Sequence, residues 1–201
     1  MRYIKEKASI QIEINKSVFI AVFYPLESQD DISYYLDQVK HEYPKANHYC
    51  NASIFGEHGE QQTAHDDGEP SRTAGIPILE VLKHHDVTNI LCVVVRFFGG
   101  IKLGSGGLVR AYTKATADLI KDVKFYQKKF VPSYELEFDY PLINLIDHYL
   151  ENKATVLEKN FLTTVTYKIL FNEDDASVIT DIKHQLIDFK QLSMEILWVE
   201  A

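Results

Sequence analysis

The residues of this chain that could do chemistry are concentrated in two short stretches. The first runs Arg96-Phe97-Phe98-Gly99-Gly100-Ile101-Lys102-Leu103-Gly104-Ser105-Gly106-Gly107-Leu108-Val109-Arg110 and holds five of the nine glycines. Glycines between a strand and a helix let backbone N–H groups approach an anion, and a helix N-terminus adds partial positive charge. Arg96, Lys102, Arg110 and Lys114 supply full charges around them. The pattern predicts a site for a phosphate-bearing ligand at Arg96, Gly99, Gly100, Lys102, Gly104, Ser105, Gly106, Gly107 and Arg110. It is not a Walker loop, because no Gly-Lys-Ser/Thr follows, and the glycine spacing is wrong for a dinucleotide fingerprint. The plainer alternative is a tight crossover whose cations pair with acidic residues elsewhere.

The second stretch is His65-Asp66-Asp67-Gly68-Glu69-Pro70-Ser71. Carboxylates beside a histidine can act as an acid–base pair or hold a divalent cation. The spacing fits no metal signature, since an EF-hand loop needs carboxylates at alternate positions and these are adjacent. The expectation is a charged turn closed by Gly68 and Pro70, salt-bridged to Arg96 or Arg110, with no metal and no cofactor. For an enzyme, the candidate catalytic groups are Asp67, Glu69 and His48; His48 and His65 flank the apolar run Tyr49–Phe55 and can meet near the loops. Ser71, Thr73 and Ser105 lie outside any nucleophile elbow. Cys50 and Cys92 sit in apolar runs with nothing to lower their pKa.

Charge is organised as unevenly as the glycines. The net charge is −8. Residues 1–124 contribute −2 of this and residues 125–201 contribute −6. No Lys or Arg lies between Lys45 and Arg72, and no Asp or Glu lies between Asp86 and Asp118. Such segregation predicts two segments that face each other or share a ligand. The acidic balance excludes a general nucleic-acid coat protein, and no DNA partner is expected. The apolar runs Val18–Phe23 and Ile90–Val95 are far short of the ~20 residues of a membrane span. With two reduced core cysteines, the chain reads as cytoplasmic and without a membrane partner.

These stretches must be positioned by a mixed α+β framework. Ile10, Ile12 and Ile14 alternate as a half-buried strand, and Val18–Phe23 is a continuous apolar strand. Ile32, Tyr35, Leu36, Val39 and Tyr43 lie on one helix face that starts near Ser28 and stops at Pro44. Tyr49–Phe55 reads as a strand and residues 56–72 as one long polar loop. A helix opens at Thr73 to Pro77, Asn89–Phe98 is a central strand, and Gly99–Gly107 is a loop feeding a third helix. Residues 124–131 read as a basic-aromatic link. From Pro132 the signals run strand (Tyr134 to Phe138), helix capped by Asp139, strand (Thr155–Leu157), strand (Leu162–Phe171), helix capped by Asn172 and a final strand. That order, β-α-β-β-α-β, is the ferredoxin-like arrangement. Two domains are expected, residues 1–127 and residues 132–201.

The two loops also carry a resemblance. Residues 66–75, Val94 to Gly104, and Gly107-Leu108-Val109-Arg110-Ala111-Tyr112, with the upstream Asn47-His48-Tyr49-Cys50, resemble the signature of the IMPACT family in its bacterial YigZ-type branch. The resemblance implies that the first domain is similar to ribosomal protein S5 domain 2, followed by the ferredoxin-like sandwich. It also implies a link to translation, because eukaryotic relatives regulate the starvation-sensing kinase of translation initiation through a partner protein. No settled enzymatic activity comes with it. Three residues depart from the family pattern: Arg72 where a small glycine is expected, Phe97 for tyrosine and Thr113 for glycine. Arg72 is expected to set a cation beside Asp66, Asp67 and Glu69. Two functions remain open at this point. One is a regulatory protein docking on RNA, the ribosome or a translation factor through the basic glycine-rich loop, with Phe97, Phe98 and Tyr112 available for stacking. The other is a hydrolase or transferase acting on a phosphorylated substrate in a cleft between the loops.

Overall fold

In the computed structural model, which describes residues 1–172 and 176–201, the chain divides into two units. These are Met1–Gln127 with Glu200–Ala201, and Lys128–Val199. The first contains β1 (Ala8–Ile14), β2 (Ser17–Pro25), α1 (Asp31–Glu42), β3 (His48–Phe55), β4 (Gln61–His65), α2 (Gly75–His84), β5 (Ile90–Phe97) and α3 (Gly104–Asp122). Its sheet has the order β1-β2-β5-β3-β4. β5 lies antiparallel to both β2 and β3, so α1 carries the chain between two strands with β5 inserted between them. That central position explains why Ile90–Val95 is apolar at every residue: both faces are covered. Cys92 and Val94 face one core with α2 and α3, while Leu91, Val93 and Val95 face a second core with Val39, Tyr35 and Leu36 of α1.

Several expectations are corrected here. The long polar loop contains strand β4, which pairs with β3 from Asn51↔His65 to Phe55↔Gln61. Its alternation was masked because, as an edge strand, it is largely exposed and polar. The glycine-rich loop is shorter than expected, because α3 begins at Gly104 and Gly104 to Gly107 form its first turn. The basic-aromatic link is strand: β6 (Tyr126–Phe138) starts well before Pro132.

The second unit continues through a 3-10 turn at Tyr140–Leu142, α4 (Ile143–Leu150), β7 (Ala154–Phe161), β8 (Val165–Phe171) and β9 (Asp188–Glu200). Its sheet order is β7-β8-β6-β9. Pro141 sits in the first turn as expected, but Asp139 makes no side-chain cap bond. The hairpin turn falls after Phe161 and not at Lys159-Asn160, which are both paired into β7. The helix expected after Asn172 would begin in residues 173–175, which lie outside the described residues. Beyond them the chain forms two 3-10 turns, Ala176–Asp181 and Lys183–Gln185. Ile179 and Ile182 are nonetheless buried against Leu136, Phe138 and Ile146. The apolar spacing served the core without a full α-helix.

Candidate functional site

Strand register creates the site. Arg96 is directly opposite Phe19 of β2 on one side and His48 of β3 on the other. Side chains alternate along a strand, so Arg96 shares a face with Cys92 and Val94, the face covered by α2 and α3. An arginine at an inward position must find a counter-charge or remain a costly buried cation. It finds Glu69. The Arg96 Nη1 donates to Glu69 Oε1 at 2.6 Å, with the two side chains only 6% and 4% exposed. The same oxygen accepts the Tyr112 hydroxyl at 2.8 Å from α3. Burial, then Cys50 and Glu69, push the Tyr112 phenol far upward, so it stays a donor. The segregated charge thus resolves as two segments meeting through one buried pair.

His48 completes the wall. Its Nδ1 lies 2.8 Å from the Asp67 carbonyl, and its Nε2 is 4.0 Å from Glu69 Oε1. A carbonyl only accepts, so Nδ1 is the donor in this contact. The remaining expected catalytic carboxylate, Asp67, is turned elsewhere. Its Oδ2 accepts the Tyr49 backbone N–H at 2.6 Å, and it lines a separate shallow cavity with Asp66, His65 and Lys40.

Asp66, named with the acidic cluster but not among the catalytic candidates, anchors the acidic turn. Its carboxylate accepts the backbone N–H groups of Arg72 at 2.7 Å, Ala74 at 3.0 Å and Gly75 at 2.9 Å. Burial works to raise its pKa, but those three donors outweigh it and hold the carboxyl below its usual value. Two of the donors lie at the N-terminus of α2, so Asp66 caps that helix from outside it. Arg72 contributes its backbone and not its charge. It adopts φ +63°, the left-handed region where glycine is preferred, and its side chain lines a different groove with Ile76, Pro77 and His84. The expectation that Arg72 neutralises the acidic turn is therefore corrected. Each of the three acids is satisfied by other groups, and among the described residues no cluster could hold a metal ion.

The glycine-rich stretch divides by role. Gly99 passes so close to the Lys16 and Ser17 backbone that a Cβ would collide with it, and its N–H donates to Ser17 Oγ. Its role is close approach. Gly100 and Gly104 adopt φ +83° and +68°, which turn the chain into α3. Phe98 is held by its N–H donating to Asn47 Oδ1 at 2.8 Å. A groove of about 480 Å³ results, lined by Asn47, His48, Glu69, Pro70, Arg96, Phe98, Lys102, Leu103, Gly104, Ser105 and Leu108. The two loops do meet. Of the expected ligand-binding residues, Arg96, Lys102, Gly104 and Ser105 line the groove, whereas Gly99, Gly100, Gly106, Gly107 and Arg110 do not. Arg110 is exposed one turn further along α3. Asn47, Pro70, Leu103 and Leu108 were missed as lining residues. Asn47 reaches the groove because β3 pairs with β5, and Leu103 and Leu108 because α3 starts beside it, neither of which local spacing reveals.

The first turn of α3 carries no acid and no side-chain cap. Its N–H groups are the kind of donors that an anion satisfies. Cys50, whose thiol donates to the Asp66 carbonyl, lies behind the groove; burial pushes it up to about 12, so it is no thiolate nucleophile. Among the described residues, no helix is long and apolar enough to cross a membrane.

Comparison with known proteins places this geometry in context. A family model described as the Impact N-terminal domain matches residues 15–120. The IMPACT family member YvyE of Bacillus subtilis (strain 168) is 32% identical over 188 residues, covering 93% of this chain and 87% of that protein. The IMPACT family member YigZ of Escherichia coli (strain K12) is 30% identical over 191 residues, covering 94% and 92%. A crystal structure described as that of a hypothetical protein superposes with a TM-score of 0.60 at 26% identity, over 96% of this chain and 97% of that one. A structure of the two-domain translational regulator Yih1 gives a TM-score of 0.35 at 21% identity, over 61% of this chain and 47% of that one. At that level the overlap carries no structural argument.

Proposed function

The chain belongs to the IMPACT family, and from that premise we propose that it is a translation-linked regulatory protein that docks on ribosomal RNA through the groove between the Glu69 turn and α3. The carrying observation is the convergence of an uncapped helix N-terminus, the exposed Lys102 and the buried Arg96 on one groove. Glu69 and Arg96 neutralise one another, so the net positive charge the groove offers a partner is that of Lys102. Lys102 and Arg110 enter no ion pair among the described residues, and Lys114 is paired with Asp118 on the same helix. Their charge is available to a partner. The translation link itself comes with the family. For the fold, the element and sheet orders of the second unit support a ferredoxin-like reading, and the resemblance supports an S5 domain 2-like first unit. We take residues 1–127 and 132–201 as the two domains.

The test is co-sedimentation with ribosomes at low and moderate salt. Wild type should bind with steep salt dependence, since each phosphate contact releases counterions. A Lys102→Ala/Arg110→Ala variant, and separately Ser105→Asp, should bind much more weakly. Arg96 is left intact because its loss would strand Glu69. Equal binding by folded variants and wild type overturns the reading. One observation favours a second reading: His48 lines the groove beside Glu69, where a general base for a phosphoester hydrolase could sit. Phosphoester turnover by the wild-type protein, lost in His48→Ala, would move the enzyme reading ahead.

A further inference from the structure

We infer that the groove takes one phosphorylated nucleotide, with phosphate at the start of α3 and the base against Phe98. The inference rests on the reading of the groove as a phosphate site and names the ligand class. Three observations carry it. First, Arg96 lines the groove with its side chain 94% buried and its Nη1 fixed by Glu69, so the wall presents a guanidinium held in one orientation beside the exposed Lys102. This is independent of the uncapped helix.

Second, Phe98 lines the same groove with 46% of its surface exposed. Large apolar rings are costly to leave in water, and this one is held in place. Its backbone is fixed by Asn47, the next N–H is fixed by Ser17, and the Arg96 guanidinium carbon lies 5.5 Å from the ring centroid. A fixed, exposed aromatic beside an arginine is a stacking platform for a base. Third, the remaining polar groups suit a nucleotide. The Asn47 amide is oriented by the bond its oxygen accepts, which leaves its NH2 as a donor. The His48 ring in the same wall has a polar edge that can meet a hydroxyl such as those of ribose. Phosphate, base platform and sugar contact thus border a single cavity of about 480 Å³, the size class of a small-molecule site. A duplex would need a long basic stripe, and the acidic turn interrupts any such stripe here.

The same chemistry arrives as a free mononucleotide or as the 5′-phosphorylated end of an RNA strand. Calorimetric titration of the full chain separates the possibilities, with adenosine 5′-monophosphate, adenosine, ribose 5-phosphate, inorganic phosphate and a tetranucleotide with or without its 5′-phosphate. Adenosine monophosphate should bind more tightly than adenosine and more tightly than inorganic phosphate. Phe98→Ala should weaken it by roughly 5- to 150-fold, the range of one stacked base, and leave inorganic phosphate unchanged. Lys102→Ala should weaken both and leave adenosine unchanged. A tetranucleotide that binds only with its 5′-phosphate identifies a strand end; rejection of the tetranucleotide identifies a free nucleotide. Adenosine or inorganic phosphate binding as tightly as adenosine monophosphate overturns the inference. So does an unchanged affinity in Phe98→Ala, preferential binding of phosphotyrosine, or no saturable binding at about 1 mM ligand. Ribosome co-sedimentation that persists without nucleotide binding would sink this inference alone. Nucleotide binding without co-sedimentation would sink the docking reading alone.

Discussion

At the residue scale, Arg96 and Glu69 decide whether the site exists. An ion pair this buried contributes little net stability, because both charges were taken out of water to form it. Removing one partner is a different matter, since the survivor is then buried alone. Glu69→Ala should lower unfolding free energy by about 3–5 kcal/mol in urea titration. The double variant Arg96→Met/Glu69→Ala should regain much of the loss. A double variant as unstable as the single would show that Glu69 acts mainly through Tyr112 and not through its charge. Tyr112 has its own reason to be buried: it meets Phe19 edge-on at 5.3 Å while its hydroxyl reaches Glu69.

At the element scale, the helices α2 and α3 show two solutions to one problem. Both begin without a capping side chain of their own. In α2 the donors are met by Asp66 from the preceding turn, while α3 has no acid in its first turn. The Asp66 contribution has a defined pH dependence. Its folded pKa lies below its ordinary value of 3.8, so the stabilisation is present above that value and is lost as pH falls through the folded pKa. Asp66→Asn should cost about 1–3 kcal/mol at neutral pH. The gap to wild type should narrow below about pH 4, as measured by chemical denaturation across pH. A gap that stayed constant with pH would show that the carboxylate charge is not what the turn uses.

At the scale of the whole molecule, the division into two units assigns the whole groove to the first. Both of that unit's hydrophobic clusters are built from residues up to Phe125. Among the described residues, its ties to the chain end include a backbone bond from the Ala201 N–H to the Phe125 carbonyl and an exposed ion pair between Lys124 and Glu200. A fragment of residues 1–127 should therefore fold alone, with mixed α/β circular dichroism and a single cooperative thermal transition. A fragment lacking cooperative unfolding would show that this domain assignment is wrong. If it folds, it should retain whatever ligand binding the full chain shows.

Sequence alone determined the elements whose signals are local. The apolar period placed α1, α2 and β5, the unbroken Ile90–Val95 run marked a strand covered on both faces, and the glycine and charge clusters marked both loops that line the groove. It misjudged elements whose local signal is weak: β4, which is polar because it lies at an edge, and the start of α3, where glycines conceal a helical turn. Only tertiary structure decided which members of each cluster act together. Strand register set His48 beside Arg96, and the fold of the turn directed Glu69 inward and Asp67 away. Glycines of one type acquired separate roles, from close packing at Gly99 to turning at Gly104. The physical reason is that residue type and spacing specify what a side chain can do, whereas its direction and partners depend on segments far away in the chain.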